Sequence, residues 1–347
     1  METGRYYSIT TAKGLVRTAA LTDVLRLRRT GGFIWLDFTN PTREELTALA
    51  EPLGLHPLAI EDCVDEDQVP KMEEFPNHTF ILFNRYLRAE GEAQVEEVNF
   101  FLGEKFLVTV HSHGKEDTAF ADRLEATARR DLDQARAGAD FLMEALLDDI
   151  VDEKFVAIEA LQDQLDQSEE AILQGSADFQ PLKLMNLRRN LLVLRKSLVY
   201  EREILVKLCR RDSPFITDKA IYEYRDIYDH LAKFFEVIEI CRELIATIME
   251  IHLSMINNRM AQTANRTNRI VRRLTMITTV FMPLTMLAGI GGMSEWSMIT
   301  GPQNWRTTYP AFMAAMAVIG VASYYLLRWV DARDKRAAIH SVQEEED

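Results

Sequence analysis

The residues best placed to do chemistry lie in the last quarter of the chain, and none of them is an acid, a base or an activated nucleophile. At 100° per residue, Asn268, Thr275, Thr278, Met282 and Thr285 fall on one side of a helix. Ile277, Val280, Leu284 and Leu287 fall roughly opposite. A column of hydroxyls, an amide and a thioether offers neutral oxygen and sulfur atoms to something polar, such as a passing cation. Arg266, Arg269 and Arg273 lie on the apolar side just before this stretch, where they can reach lipid phosphates and keep fixed positive charge off the polar face.

The element that must position this column is membrane-sized. From Leu274 to Met293 there is no charged residue, and at about 1.5 Å per residue the run covers roughly 30 Å, the thickness of a bilayer's hydrocarbon core. A second uncharged run, YPAFMAAMAVIGVASYYLL (309–327), follows after a short polar loop, so the two make a membrane hairpin. Arg266, Arg269, Arg272 and Arg273 precede the first run, and Arg328, Arg333, Lys335 and Arg336 follow the second, whereas the loop holds only Glu295 and Arg306. The positive-inside rule puts both termini in the cytoplasm. The opening METGRYYSITTAKGL lacks the apolar core of a secretory signal, so insertion is expected to use the C-terminal runs.

The run NRIVRRLTMITTVFMPLTMLAGIGGMS resembles the first transmembrane helix of the CorA family of divalent-cation channels. In that family the helix ends in a Gly-Met-Asn signature; here Gly292, Met293 and Ser294 stand in its place, after Gly291. LHPLAIEDCVDEDQVPKMEEF (55–75) and YEYRDIYDH (222–230) are similar to further segments of the family. The resemblance implies a homopentamer in an inner (plasma) membrane, with the first span inside and the second outside. It implies movement of Mg2+, with Co2+ and Ni2+ as further candidates. Its pore rings would be Asn268, Leu274, Met282, Thr285 and Ser294, with Thr275 and Thr278 on the same face, and Gly292, Met293, Ser294 and Glu295 would form the outer mouth. Apolar rings such as Leu274 and Met282 can gate by excluding water. A neutral pore suits an ion that gives up its waters reluctantly. The resemblance also implies that acids at subunit contacts sense internal ion: it points to Asp226, with Glu96 or Glu97 as a partner.

The departure at Ser294 keeps a second reading open, a transporter of zinc or another transition metal, proton-coupled or not. A reading of another class, a membrane-tethered helical scaffold or sensor, does not need hydroxyls aligned on one face. A net charge of −14 argues against nucleic acid, which leaves the bilayer, divalent cations and further copies of the chain as partners. Cys63, Cys209 and Cys241 are widely spaced and read as free thiols. No catalytic motif stands where it would work, so neither an enzyme nor a bound cofactor is expected.

The expected fold is an α+β membrane protein shaped as a pentameric funnel. An α/β domain (1–133) leads to a helical stalk (134–270), the first span (271–293), an outer loop (294–308), the second span (309–328) and a tail (329–347). Strands are expected at 5–10, 32–38, 79–87, 95–102 and 105–111, with one helix at 41–54. Helices follow at 117–133, 138–175, 181–212 and from 218 into the first span. The 138–175 helix is rich in acids (Asp148, Asp149, Asp152, Asp163, Asp166) and the 181–212 helix in bases (Arg188, Arg189, Arg195, Lys196), which suggests complementary packing. The acids Glu61, Asp62, Asp65, Glu66 and Asp67 read as a solvated face, and His111 with His113 as structural residues.

Overall fold

The computed structural model describes residues 4–11, 13–28, 32–65, 68–88, 93–111, 118–174, 179–293, 298, 301 and 303–344. The chain divides into two compact units, Met1–His252 and Leu253–Asp347. The first holds strands β1 (Gly4–Thr10), β2 (Gly14–Thr18), β3 (Phe33–Thr39), β4 (Lys71–Glu74), β5 (Thr79–Arg88), β6 (Ala93–Gly103) and β7 (Phe106–His111). Among the described residues they form a seven-stranded sheet in the order β2-β1-β3-β7-β6-β5-β4. Only the β3–β7 pair is parallel, with Trp35 opposite Leu107 and Asp37 opposite Thr109. β2 and β4 are too short to show alternation in the sequence, and each is an edge strand.

The central strands are apolar on both faces because both are covered. On one side, Ile34, Leu36, Phe38, Phe101 and Val108 meet four short helices: α1 (Leu21–Leu27), α2 (Arg43–Thr47), α3 (Ala50–Leu53) and α4 (Pro57–Val64). The single helix expected over 41–54 is two helices, α2 and α3. Pro52 is the reason, since its ring would strike the carbonyl of Ala48 and it has no N–H to donate. Thr42 opens α2 with a capping box: its hydroxyl accepts from Glu45 N, and Glu45 Oε2 accepts from Thr42 N at 2.7 Å.

On the other face a buried polar chain runs across the sheet. Trp35 Nε1 donates to Thr109 Oγ1 at 3.1 Å, Thr109 donates to Asp37 Oδ1 at 2.5 Å, and His111 Nε2 lies 3.1 Å from the same oxygen. His111 is therefore a structural partner of Asp37; His113 lies outside the described residues.

The remaining helices are α5 (Thr118–Arg130), α6 (Leu132–Ala135), α7 (Ala139–Leu173), α8 (Pro181–Cys209), α9 (Ala220–Gly291) and α10 (Trp305–Glu344). α7 packs on β5, β6 and β7, and α8 on β4, β5 and β6. Asp140 of α7 accepts from both the N–H and the hydroxyl of Thr217, and so fixes the chain just before α9. In the first unit α9 buries Tyr224, Ile227, Leu231, Phe234, Ile238, Cys241, Ile245 and Ile248. The alternating steps of three and four residues are a heptad seam.

One α7–α8 ion pair runs in the opposite sense from the composition. The buried α7–α8 ion pair joins Lys154 of α7, the one base in an acidic run, to Glu201 of α8 at 2.5 Å. Both are at most 1% exposed, and the ammonium also lies 4.2 Å from the centre of the Phe83 ring. Burial lowers the Lys154 pKa, and Glu201 works against that shift. Removing one partner leaves a buried charge unpaired, so Lys154→Met should cost about 3–5 kcal/mol. Lys154→Met combined with Glu201→Leu should recover most of the loss. Urea unfolding of the solubilised chain measures both.

Candidate functional site

In the second unit the described residues contain two helices long and apolar enough to cross a membrane, the end of α9 and Arg306–Trp329 of α10. Their most apolar windows bury nothing within the chain. Leu274 is 63% exposed, Met282 72% and Val318 68%, more apolar surface than water tolerates.

The two helices meet along one face of α9. A Cβ on Gly291 would sit 2.7 Å from the Phe312 ring, and one on Gly320 would sit 3.4 Å from Leu284. Small residues at both points let the helices approach. The half-covered positions Met276, Val280, Leu284, Leu287 and Gly291 trace this contact face. Asn268, Thr275 and Met282 lie about 160–200° around the helix from Leu284, and with Thr278 and Thr285 they are exposed. The neutral polar stripe thus lies within the part of α9 that α10 leaves open, beside the uncovered apolar residues Ile277 and Phe281.

The threonines are prepared for a particular kind of contact. Thr275, Thr278 and Thr285 each donate their hydroxyl proton to a carbonyl four residues back, at 2.8–2.9 Å. With the proton used inside the helix, the oxygen faces outward as an acceptor. Waters around a cation point their protons outward, so an acceptor stripe can hold a hydrated cation. Pro283 removes the helical donor to the Thr279 carbonyl. Gly292 and Met293 close the last turn through bonds to Ala288 O and Ile290 O. Ser294 and Glu295 lie outside the described residues.

A second cluster forms in the first unit. Asp226 is exposed on α9, and its charge acts on Glu144 and Asp148 of α7. Glu144 is 6% exposed; burial, with the carboxylates of Asp148, Glu223, Asp131 and Asp226, pushes its pKa up to about 8. Burial and Asp152 raise Asp148 to about 6, although His230 pulls the other way. Glu96 lies 3.6 Å from Arg85, and Glu97 accepts from Gln68 N at 2.6 Å. Asp62 pairs with Lys71 at 2.7 Å, while Glu66 and Asp67 fall outside the described residues. Among the described residues no three His, Cys, Asp or Glu side chains of one chain are placed to hold a metal ion. The step of four from Glu144 to Asp148 to Asp152 was visible in the sequence, but the burial of Glu144 was not.

An α/β unit, a long helix and an apolar helix pair with one neutral polar face describe a two-span membrane protein built to handle ions. The chain belongs to the family described as CorA-like Mg2+ transporter protein, whose model matches residues 30–329, a family of transporters and channels and not of enzymes. The cobalt/magnesium transport protein CorA of Thermotoga maritima is 31% identical over 309 residues, 88% of this chain and 85% of that one. That of Methanocaldococcus jannaschii is 27% identical over 85% of this chain and 90% of its own length. The complete structure of the M. jannaschii CorA magnesium transporter superposes with a TM-score of 0.68 at 25% identity, covering 94% of this chain and 98% of that one.

The Glu144 shift has a definite sign. Between the ordinary glutamate value of 4.5 and about 8 the folded chain holds a proton that the unfolded chain has released. Stability should therefore fall as pH rises through that window. Glu144→Gln should flatten the fall, matching the parent at pH values near 5 and melting higher near pH 8.5, by about 2–4 °C per kcal/mol recovered. Thermal melts at the two pH values check it.

Proposed function

We propose that the chain forms a homopentameric channel for divalent cations, Mg2+ foremost, with Co2+ and Ni2+ as further substrates. It sits in the inner membrane with both termini cytoplasmic. The observation that carries this reading is the position of α10 on α9: it covers the apolar face and leaves Asn268, Thr275, Thr278, Met282 and Thr285 open. One hairpin cannot enclose water, so this face needs copies of itself around an axis.

In this reading Leu274 and Met282 form narrow apolar rings, and the threonine oxygens between and above them receive the waters of the ion. Ser294 and Glu295 stand at the outer mouth, where a hydroxyl replaces the amide of the family signature and an acid concentrates cations. Residues 134–270 form the stalk, 271–293 the pore helix and 309–328 the outer helix.

Internal ion holds the channel closed in the proposed mechanism. Asp226, Glu144 and Asp148 form a group of acids that disfavour one another's charge, and Glu144 keeps its proton up to about pH 8 until a cation takes its place. One chain does not supply three placed ligands, so a bridged ion draws further oxygens from the neighbouring subunit, with Glu96 and Glu97 as the partners proposed for it. The bound ion offsets the repulsion; its loss lets the subunits move apart.

Proteoliposomes loaded with a fluorescent ion indicator test the pore. Met282→Lys should lower Mg2+ influx at least about tenfold by placing a ring of fixed cations in the path. Ile277→Ala, on the lipid side, should stay within about twofold. Equal influx in Met282→Lys and the parent would remove the proposed pore. Substituting Zn2+ for Mg2+ in the same assay separates the transition-metal reading, and a mass measurement in mild detergent checks the count of five.

Gating has its own test. Asp226→Lys replaces a bridging carboxylate with a fixed cation, so about tenfold more internal Mg2+ should be needed for half-inhibition. Patch recordings across internal Mg2+ concentrations read this directly.

A further inference from the structure

α7 and α8 leave two faces uncovered, one acidic and one carrying bases among apolar residues. On α7, Asp152, Val156, Glu159, Asp163, Asp166 and Glu170 recur at alternating steps of four and three residues, and all are exposed. That spacing places them in one stripe. On α8, Met185, Arg189, Leu192, Lys196, Val199 and Glu203 repeat the same steps, and all are exposed too. Val156 is 60% exposed and Val199 43%. Glu159, Asp163, Asp166 and Lys196 make no ion pair among the described residues.

The buried Lys154–Glu201 pair fixes the side of each stripe, because it lies between the two helices. Asp163 is nine residues from Lys154 and Leu192 is nine from Glu201, and nine steps of 100° end about 180° around a helix. Each stripe therefore faces away from the other helix, so the pair has an acidic flank and a basic flank. Both helices run along α9. Going up α7, Glu144 feels Glu223 and Phe155 stacks on Phe234, whereas going up α8, Arg195 pairs with Glu239 and Arg202 lies over Tyr228. α7 and α8 are thus antiparallel.

One chain cannot bring its two flanks together, but a ring of copies can, since a cyclic assembly joins two different faces of the subunit at every contact. Symmetry also sets the register. Rotation about an axis parallel to the helices keeps each residue at its own height, and Lys154–Glu201 shows which residues of α7 and α8 share a height. Counting from it in opposite directions along the two helices places Val156 level with Val199, Glu159 with Lys196, and Asp166 with Arg189.

We propose that the acidic stripe of α7 docks on the basic stripe of α8 in the neighbouring subunit, with Val156 against Val199 in the contact. This rests on the oligomeric channel reading and adds to it the surface through which the first units join. Exposed ion pairs contribute little singly; burial of Val156, Leu192 and Val199 supplies more, and the charges select partner and register. Asp152 meets Glu203 at one end, where Lys207 lies 3.2 Å from Glu203 and offsets the repulsion.

Cross-linking of the full-length chain in mild detergent tests the contact. Val156→Cys combined with Val199→Cys, treated with a short bis-maleimide, should give a ladder of covalent oligomers, while each single variant stays at the mass of one chain. The two positions lie on opposite flanks of their own helix pair, so a link within one chain cannot produce the ladder. Val156→Cys combined with Leu182→Cys should give none, because Leu182 is 17 residues from Val199, about 25 Å along α8. Glu159→Lys should lower the yield of the first pair about threefold at low salt, and adding Lys196→Glu should restore it. All the substituted positions are exposed, so the variants should melt with the parent. A chain that runs as an oligomer by mass but forms no ladder overturns this docking and leaves the channel reading standing; a chain that runs as a single copy overturns both. A ladder from a single variant, an equal ladder from the Leu182→Cys combination, or a yield that Glu159→Lys does not move also overturns the docking.

Discussion

A helix that enters lipid must bring every backbone hydrogen bond with it, because the bilayer core offers no replacement. α9 meets this requirement over 72 residues except at Pro283, which leaves the Thr279 carbonyl without its helical donor. The backbone is thereby settled, and side chains alone decide what each stretch of the helix faces. Between Tyr224 and Ile248 they form a heptad seam against their own chain. Along the membrane segment the large apolar side chains are mostly exposed, and the row from Met276 to Gly291 is half-covered where α10 meets it. A partner for the open face has to come from outside the chain.

The first unit shows what happens to charge when such an element packs on a sheet. Lys154 is compensated by Glu201, and His111 sits beside Asp37; each is buried with its partner in reach. Glu144 is different. It is nearly as buried, but its neighbours are other acids, and its pKa rises instead of its charge being matched. A low-dielectric site tolerates a carboxyl in two ways, by pairing it or by protonating it. The acids around Glu144 come from α7, α9 and, with Asp131, the cap of α6, so anything that changes their charge acts on the contact between α7 and α9. This gives the proposed ion sensing a physical basis independent of any one ligand geometry.

The membrane helices and their polar stripe were legible in the sequence because a 3.6-residue period and an uncharged run are local signals. The central strands were legible for the same reason. β2, β4 and α1 were not, since five, four and seven residues carry too little pattern to register. The break at Pro52 was in plain view, but the fit of 41–54 to a helical pattern obscured it. Charge counts on the α7 and α8 faces did not point to the Lys154–Glu201 pair, because abundance describes the solvated faces and that pair is decided by which residues are buried. The environment of Glu144 was beyond reach for a related reason. Its neighbours Glu223 and Asp226 lie far along the chain, and nothing local encodes the approach.

The two regions proposed to meet ions differ in the one property that distinguishes holding an ion from passing it. Around Asp226 the groups are carboxyls, which carry full charge once their protons are displaced, so attraction to a divalent ion is strong and release is slow. Along the stripe from Asn268 to Thr285 there is no charge, and the hydroxyl protons are already spent on the helix itself. Such oxygens can take hydrogen bonds from the waters of an ion without displacing them, so the dehydration that Mg2+ resists is never required. Weak, repeated contacts let the ion leave as readily as it enters. Carboxylates in the stripe would trap it, and hydroxyls around Asp226 would fail to register its concentration. The proposed division of labour follows from where the chain puts its acids and where it leaves them out.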